Sequence, residues 1–364
     1  MTDAQEQGLT GALIAVACAT AAWLALRVQP SGEASAWVGP LCAALCCLSI
    51  GLLPARAQGR KLLPADALAP WLLALDGAFA PWLSVDVALS ALFLSTGLWA
   101  LAGEVAPKPP RSRSTPAADH AEALKAAQLD PPAPAERGAA SGAWLGLAAA
   151  LRPEQGLWLL TSLLARRSMV KASIDGGARA EPRLALRWAS LAAVPLALGA
   201  LALWWHLGLP RALPNAGGSG ADWLRGWWRS RPGVHHALWL APLVLLTSET
   251  RRSGLVALAA LLPPLFWVPL RNGDARFFAA AMPQASLLAA LAAIALGEAA
   301  GWVPFAIGMG RLVKKAAAPK VDDAEAALEV IELGMRGVRV ERAVTALAAA
   351  VLLGFAAAAL RAGR

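Results

Sequence analysis

Residues Ala143 to Arg167 read AWLGLAAALRPEQGLWLLTSLLARR, with Arg152, Pro153 and Glu154 in the middle of an otherwise apolar run. A charge at the centre of a bilayer costs roughly 2.5–3.5 kcal/mol even on mild insertion scales. The nine residues from Ala143 to Leu151 would make only about 14 Å of helix, short of a hydrocarbon core of about 30 Å. Pro153 also disfavours helical geometry at the residue before it. The stretch therefore predicts two apolar half-segments that meet at an Arg-Pro-Glu corner facing a wet pocket or the outer interface. The alternative is one kinked helix in which Arg152 and Glu154 pair.

The surrounding chain supports a membrane setting. Of 364 residues, 57% are hydrophobic, and the mean hydropathy is +0.52. This predicts an all-α, polytopic integral membrane protein with about 10–11 transmembrane segments. The net charge of +9 fits basic loops on the inner side rather than a nucleic-acid partner. Cys18, Cys42, Cys46 and Cys47 lie inside apolar runs with no metal-ligand spacing, so they read as small lipid- or core-facing residues. Among the motifs there is no Gly-rich phosphate loop, nucleophile elbow or zinc pattern, and no cofactor is expected. A divalent cation is not evident from any acidic cluster.

In order, Leu9–Arg27 and Ala36–Pro54 read as spans, followed by the short basic segment ARAQGRK, Ala55–Lys61. Leu62–Leu83 reads as a third span interrupted by Asp66 and Asp76, and Val87–Val105 as a fourth. Together, residues 1–105 form an N-terminal membrane segment. Residues 106–138 are Pro-rich and polar and read as a linker on the inner side. Residues 139–309 form a second membrane segment with the outer pocket. Within it, Trp188–Leu207, Ala237–Thr247, Gly254–Leu270 and Phe277–Leu296 are apolar. Residues 310–342 are charged and predict an amphipathic helix on the inner side, and 343–364 hold the last span. Basic residues divide unevenly: 23 of the 33 fall in 55–61, 106–138, 166–187, 251–252 and 310–342. The positive-inside rule makes that side cytoplasmic, with the N-terminus inside and the Arg152 corner outside.

Several polar residues gather on the outer side. Gly208–His235 interleaves Arg211, Arg225, Arg229 and Arg231 with Trp223, Trp227 and Trp228. That pattern suits a headgroup belt, and equally a phosphate held by arginine forks. Arg276 opens an apolar span beside Asp274, where a phosphate site or a snorkelling arginine would both fit. Asp86 lies at the outer turn before the fourth span. A carboxylate in such a place can take a proton from an acceptor hydroxyl.

Four segments then resemble one family in its own order. Ala148–Leu160, AAALRPEQGLWLL, resembles the Thr-Arg-Pro-Glu-Gly-Leu segment of bacterial GT-C glycosyltransferases, the arabinofuranosyl- and mannosyltransferase-like group. Trp204–Asn215, WWHLGLPRALPN, is similar to that group's Leu-Pro-Asn-Thr segment. Gly273–Ala281, GDARFFAAA, is similar to its Gly-Asp…Arg-Phe-Leu segment. Pro70–Leu94 resembles the segment in which Asp86 stands at the family's glutamate. The resemblance implies transfer of a sugar from a polyprenyl-phosphate donor to an outer-face acceptor, in the bacterial inner membrane. It implies Asp86 and Glu154 as the catalytic acids. Arg152, Arg276, Asn215, Asp274, Arg225 and Arg229 would bind the substrate and its phosphate. The acceptor is a glycan, lipid or protein, and membrane lipid is the other partner. The family's acidic first-loop motif has no counterpart in Val28–Ser35, VQPSGEAS, whose one acid is Glu33. The reading frame then begins upstream of Met1, or the base is lost. In the second case the chain is a degenerate relative: a lipid-linked-sugar binder, an assembly subunit or a transporter.

Overall fold

The computed structural model describes residues 3–28, 37–76, 85–104, 140–151, 157–173, 188–189, 192–193, 225, 239–247, 250–271, 275–316 and 323–362. Among these, every regular element is helical and none is a strand. Five helices are long and apolar enough to cross a membrane: Ala4–Arg27, Val38–Gln58, Val85–Glu104, Met282–Gly310 and Glu329–Arg361. The chain is thus an all-α, polytopic membrane protein. The linker 106–138, most of Trp188–Leu207 and, but for Arg225, the stretch Gly208–His235 lie outside the described residues.

Helices α1 (Asp3–Val28) and α2 (Val38–Gln58) pack antiparallel. The contact is close because Gly51 faces Ile14: a Cβ there would lie 3.3 Å from Ile14 and 2.8 Å from the Pro70 ring. Gly59 ends α2 in the left-handed conformation, at φ 63°. Its N–H reaches the Arg56 carbonyl and the Arg60 N–H reaches Ala55, which satisfies two terminal carbonyls that the helix cannot bond itself.

The expected third span, Leu62–Leu83, does not begin as a membrane helix. A 3-10 turn, Pro64–Ala67, leads into α3 (Leu68–Asp76), and 77–84 lie outside the described residues. Asp66 is the reason for the turn. Its carboxylate accepts the Leu63 N–H at 2.8 Å and a two-pronged Arg60 fork at 2.7 Å on each oxygen. The acid is 1% exposed, so its charge tolerates burial only with that pairing. Asp66→Asn is expected to lower stability by about 2 kcal/mol, as for charge-assisted hydrogen bonds lost on one side. Thermal unfolding of the purified variant checks this, and an unchanged midpoint contradicts it.

Helix α4 (Val85–Glu104) runs parallel to α2 and antiparallel to α5 (Ala140–Leu151). Three contacts fix the antiparallel register: Ser90 Oγ with the Ala148 carbonyl, Gly97 against Leu145, and Glu104 with Ser141. Gly97 is needed there, since a Cβ would lie 2.8 Å from Leu145 Cγ. Helix α6 (Leu157–Ser173) packs on α8 (Arg251–Arg271). The buried Trp158 indole donates to the Ala260 carbonyl at 2.9 Å. Between them in the chain, α7 spans only Ala241–Leu246, so the predicted Ala237–Thr247 span is a six-residue helix where it is described.

The centre of the bundle is a broken helix. The short α9 (Ala275–Ala280) stops at a turn on Ala281, and α10 (Met282–Ala316) restarts. Pro283 causes the break, because it has no N–H to give and its ring crowds the carbonyl of Ala279. Every residue from 278 to 293 is buried. Gln284 donates to Ser95 Oγ at 3.1 Å, which sets the start of α10 halfway along α4. From there α10 passes α3 and the 3-10 turn, toward the end where Arg60 meets Asp66.

Two expected boundaries are not breaks in the structure. The span Phe277–Leu296 continues as helix to Ala316, and the amphipathic segment and last span are one helix, α11 (Asp323–Ala362), 40 residues long. From Leu296 on, α10 exposes Trp302 (60%), Val303 and Ile307. The two helices lie antiparallel on glycine contacts. A Cβ at Gly301 would lie 2.8 Å from the Gly337 carbonyl, and Gly297 and Gly308 face Thr345 and Leu333. Gly297 and Gly301 form a small-xxx-small pair, a spacing that lets membrane helices approach at the backbone.

Candidate functional site

The bundle has two polar ends. Antiparallel pairing of α4 with α5 sets Asp86, one turn beyond Ser90, at the end where α5 stops at Leu151 and α6 begins at Leu157. Asp86 is half-buried in the first turn of α4. Arg152, Glu154, Asn215, Arg229 and Asp274 lie outside the described residues. The backbone of Arg276 belongs to α9, and its side chain lies outside them too. Arg225 is exposed. The chain is helical up to Leu151 and again from Leu157, with Arg152-Pro153-Glu154 between them outside the described residues.

The opposite end gathers the basic stretches. Residues bounding 55–61, 106–138 and 166–187 meet there: Arg56 from α2, Glu104 from α4, Ser141 from α5 and Arg166 from α6. The antiparallel register of α1 against α2 brings the N-terminal part of α1 to the same end, beside the 3-10 turn.

Glu104 is the hub of this end. Its side chain is 4% exposed. One oxygen accepts the Ser141 backbone N–H at 3.0 Å and the other the Ser141 hydroxyl at 2.9 Å. The carboxylate thereby caps the first turn of α5, where free N–H groups and the helix dipole favour a negative charge. Ser141 Oγ accepts in turn from the buried Trp188 indole at 2.8 Å. Gly142 makes room for the Trp188 backbone, since a Cβ there would lie 2.6 Å from the Trp188 carbonyl oxygen. Arg166 Nε sits 3.9 Å from the carboxylate, an ion pair without a hydrogen bond. The Arg56 guanidinium lies 3.7 Å above the Trp99 ring and packs against Gly103, where any side chain would collide with it. Two guanidinium groups thus flank one carboxylate.

Nothing in the sequence singles out Glu104, because a lone acid at the end of an apolar span reads as an interfacial residue. The usable signal is that Arg56, Glu104 and Arg166 each terminate an apolar run on the same predicted side. Among the described residues, no group of three or more His, Cys, Asp or Glu side chains is arranged to hold a metal ion. The four cysteines are unbridged, and Cys42, Cys46 and Cys47 are buried. No protein-family model, curated protein or solved structure matches the chain.

Proposed function

We propose that this protein transfers a sugar from a polyprenyl-phosphate donor to an acceptor, at the end of the bundle that carries Asp86. The supporting observation is the α4–α5 register, which brings the half-buried Asp86 to the same end as the termini flanking Arg152-Pro153-Glu154. In this reading the acceptor oxygen attacks the anomeric carbon, the bond from that carbon to the phosphate oxygen breaks, and polyprenyl phosphate leaves. Asp86 takes the acceptor proton, and Glu154 is the alternative carboxylate. Arg152 and Arg276 hold the leaving phosphate, with Asp274, Asn215, Arg225 and Arg229 supporting it. The setting is the bacterial inner membrane, with the N-terminus and the Glu104 end cytoplasmic.

The test is full-length protein in nanodiscs with a radiolabelled polyprenyl-phosphate sugar and a panel of acceptors. Release of polyprenyl phosphate coupled to product is expected. Asp86→Asn should lower turnover about 100-fold, at the low end for a general base. A second reading rests on Val28–Ser35, which offers only Glu33 as an acid. There the protein binds the donor without transfer. Tight donor binding with no turnover, unchanged by Asp86→Asn, selects it; no binding at all defeats both.

A further inference from the structure

We propose that the Glu104 end carries a second, separate site, which binds an anionic phospholipid with its phosphate at Arg56 and an acyl chain along α2. The donors come first. The Arg56 side chain is exposed, is held flat on Trp99, and makes no ion pair among the described residues. Trp99 Nε1 and Arg166 Nε are buried N–H groups with no acceptor among them. A buried donor without an acceptor is unfavourable, so among the described residues this end is short of acceptors.

Charge selects the kind of acceptor. Glu104 is the carboxylate to which Arg56 and Arg166 are both coupled, and its oxygens already accept from Ser141. Among the described residues, two cations against one anion leave this end positive. A phosphate at the exposed Arg56 fork offsets that charge, which water does not. An arginine stacked on an indole also loses little freedom when its fork engages a phosphate.

The surface below Arg56 selects a lipid over a free anion. Leu52, Leu48, Leu45 and Leu41 follow it along α2 at steps of four, four, three and four residues, so they share its face. Leu41 (60%), Leu45 and Leu48 are exposed, and Leu52 is half-buried. The stripe is about 22 Å long, enough to line an acyl chain within one leaflet. A headgroup contact and an apolar track aligned on one helix face match an amphiphile.

Native mass spectrometry of the full chain in detergent, titrated with phosphatidylglycerol, phosphatidylcholine or inorganic phosphate, tests the site. Phosphatidylglycerol should bind at least about tenfold more tightly than phosphatidylcholine. Arg56→Gln should weaken phosphatidylglycerol about tenfold or more, the loss of a charge-assisted contact. Arg56→Lys, which keeps the charge and spares the fold, should still weaken it a few-fold. Arg167→Gln, an exposed arginine on the same end, should change it less than about threefold. Equal affinity for the two lipids, or an Arg56→Gln variant that binds like the parent, overturns the proposal. Inorganic phosphate that protects against unfolding as well as the lipid reduces the site to a free-anion site and overturns the lipid assignment. Sugar-transfer activity is read separately, so neither result depends on the other.

Discussion

Glu104→Ala should destabilise the protein by about 4 kcal/mol, as expected when one partner of a buried ion pair is removed. The lost apolar contact is a minor part of this, because the side chain offers only two methylenes. The larger part is electrostatic and polar. Arg166, 12% exposed, keeps its charge and loses its counter-ion. The Ser141 N–H loses its acceptor at the start of α5. The Ser141 hydroxyl, which holds the Trp188 indole, loses the acceptor that fixes its direction. Glu104→Gln keeps one oxygen for Ser141 and should cost about half as much. Pairing Glu104→Ala with Arg166→Leu should recover about 1–2 kcal/mol, since the double variant no longer strands a charge. Reversible unfolding in mixed micelles reads all four proteins. A single-variant loss below about 1 kcal/mol would mean that water already solvates this end.

Gly337→Leu should cost about 3 kcal/mol and part the α10–α11 hairpin. A Cβ at Gly337 would lie 2.9 Å from the Gly301 carbonyl oxygen, and a backbone atom cannot rotate away as a side-chain tip can. The helices must separate, and the fit along Gly297, Gly301 and Gly308 is lost with them. Gly334 is one turn away on the same helix, and a Cβ there would meet nothing within 4 Å. Gly334→Ala should therefore stabilise the protein by about 0.5–1 kcal/mol through helix propensity alone. Opposite signs from two glycines three residues apart are the diagnostic result. Thermal midpoints, with cysteine cross-linking across the hairpin, check it; two changes of the same sign refute the close crossing.

The helical, membrane-spanning character of the chain is legible because it rests on long apolar runs. α2 and α4 begin and end within four residues of where those runs do, and α1 starts six residues earlier than its run. The boundaries that differ do so for local reasons. Asp66 looks like an interruption of a span, yet its role is set by Arg60, six residues earlier, through a fork that hydropathy does not register. The charged stretch after Gly310 looks like a separate element, yet nothing in Ala343 or its neighbours stops a helix, so α11 runs through. The break at Ala281 falls inside Phe277–Leu296, which reads as one span, and proline alone does not mark it, since Pro54 and Pro304 sit inside unbroken helices. The Glu104 cluster is not legible, because its members come from four helices and only the packing brings them together. Of the residues the sequence nominates for the outer end, Asp86 and Arg225 have described side chains, and Asp86 lies in the first turn of α4.

The stiffness of the hairpin also has a mechanical consequence. About 20 residues of α10 beyond Leu296 rise about 30 Å along the helix axis, with the matching part of α11 antiparallel beside them. The root of this arm is the helix that breaks at Ala281, in the centre of the bundle. Such an arm is a lever. A rotation of about 10° about Ala281 would displace the tip at Ala316, about 52 Å along the helix, by about 9 Å, while a side chain near Gln284 would shift by less than about 1 Å. Anything that grips the tip therefore acts on the bundle's centre with a mechanical advantage, and small rearrangements beside Ser95 are magnified at the tip.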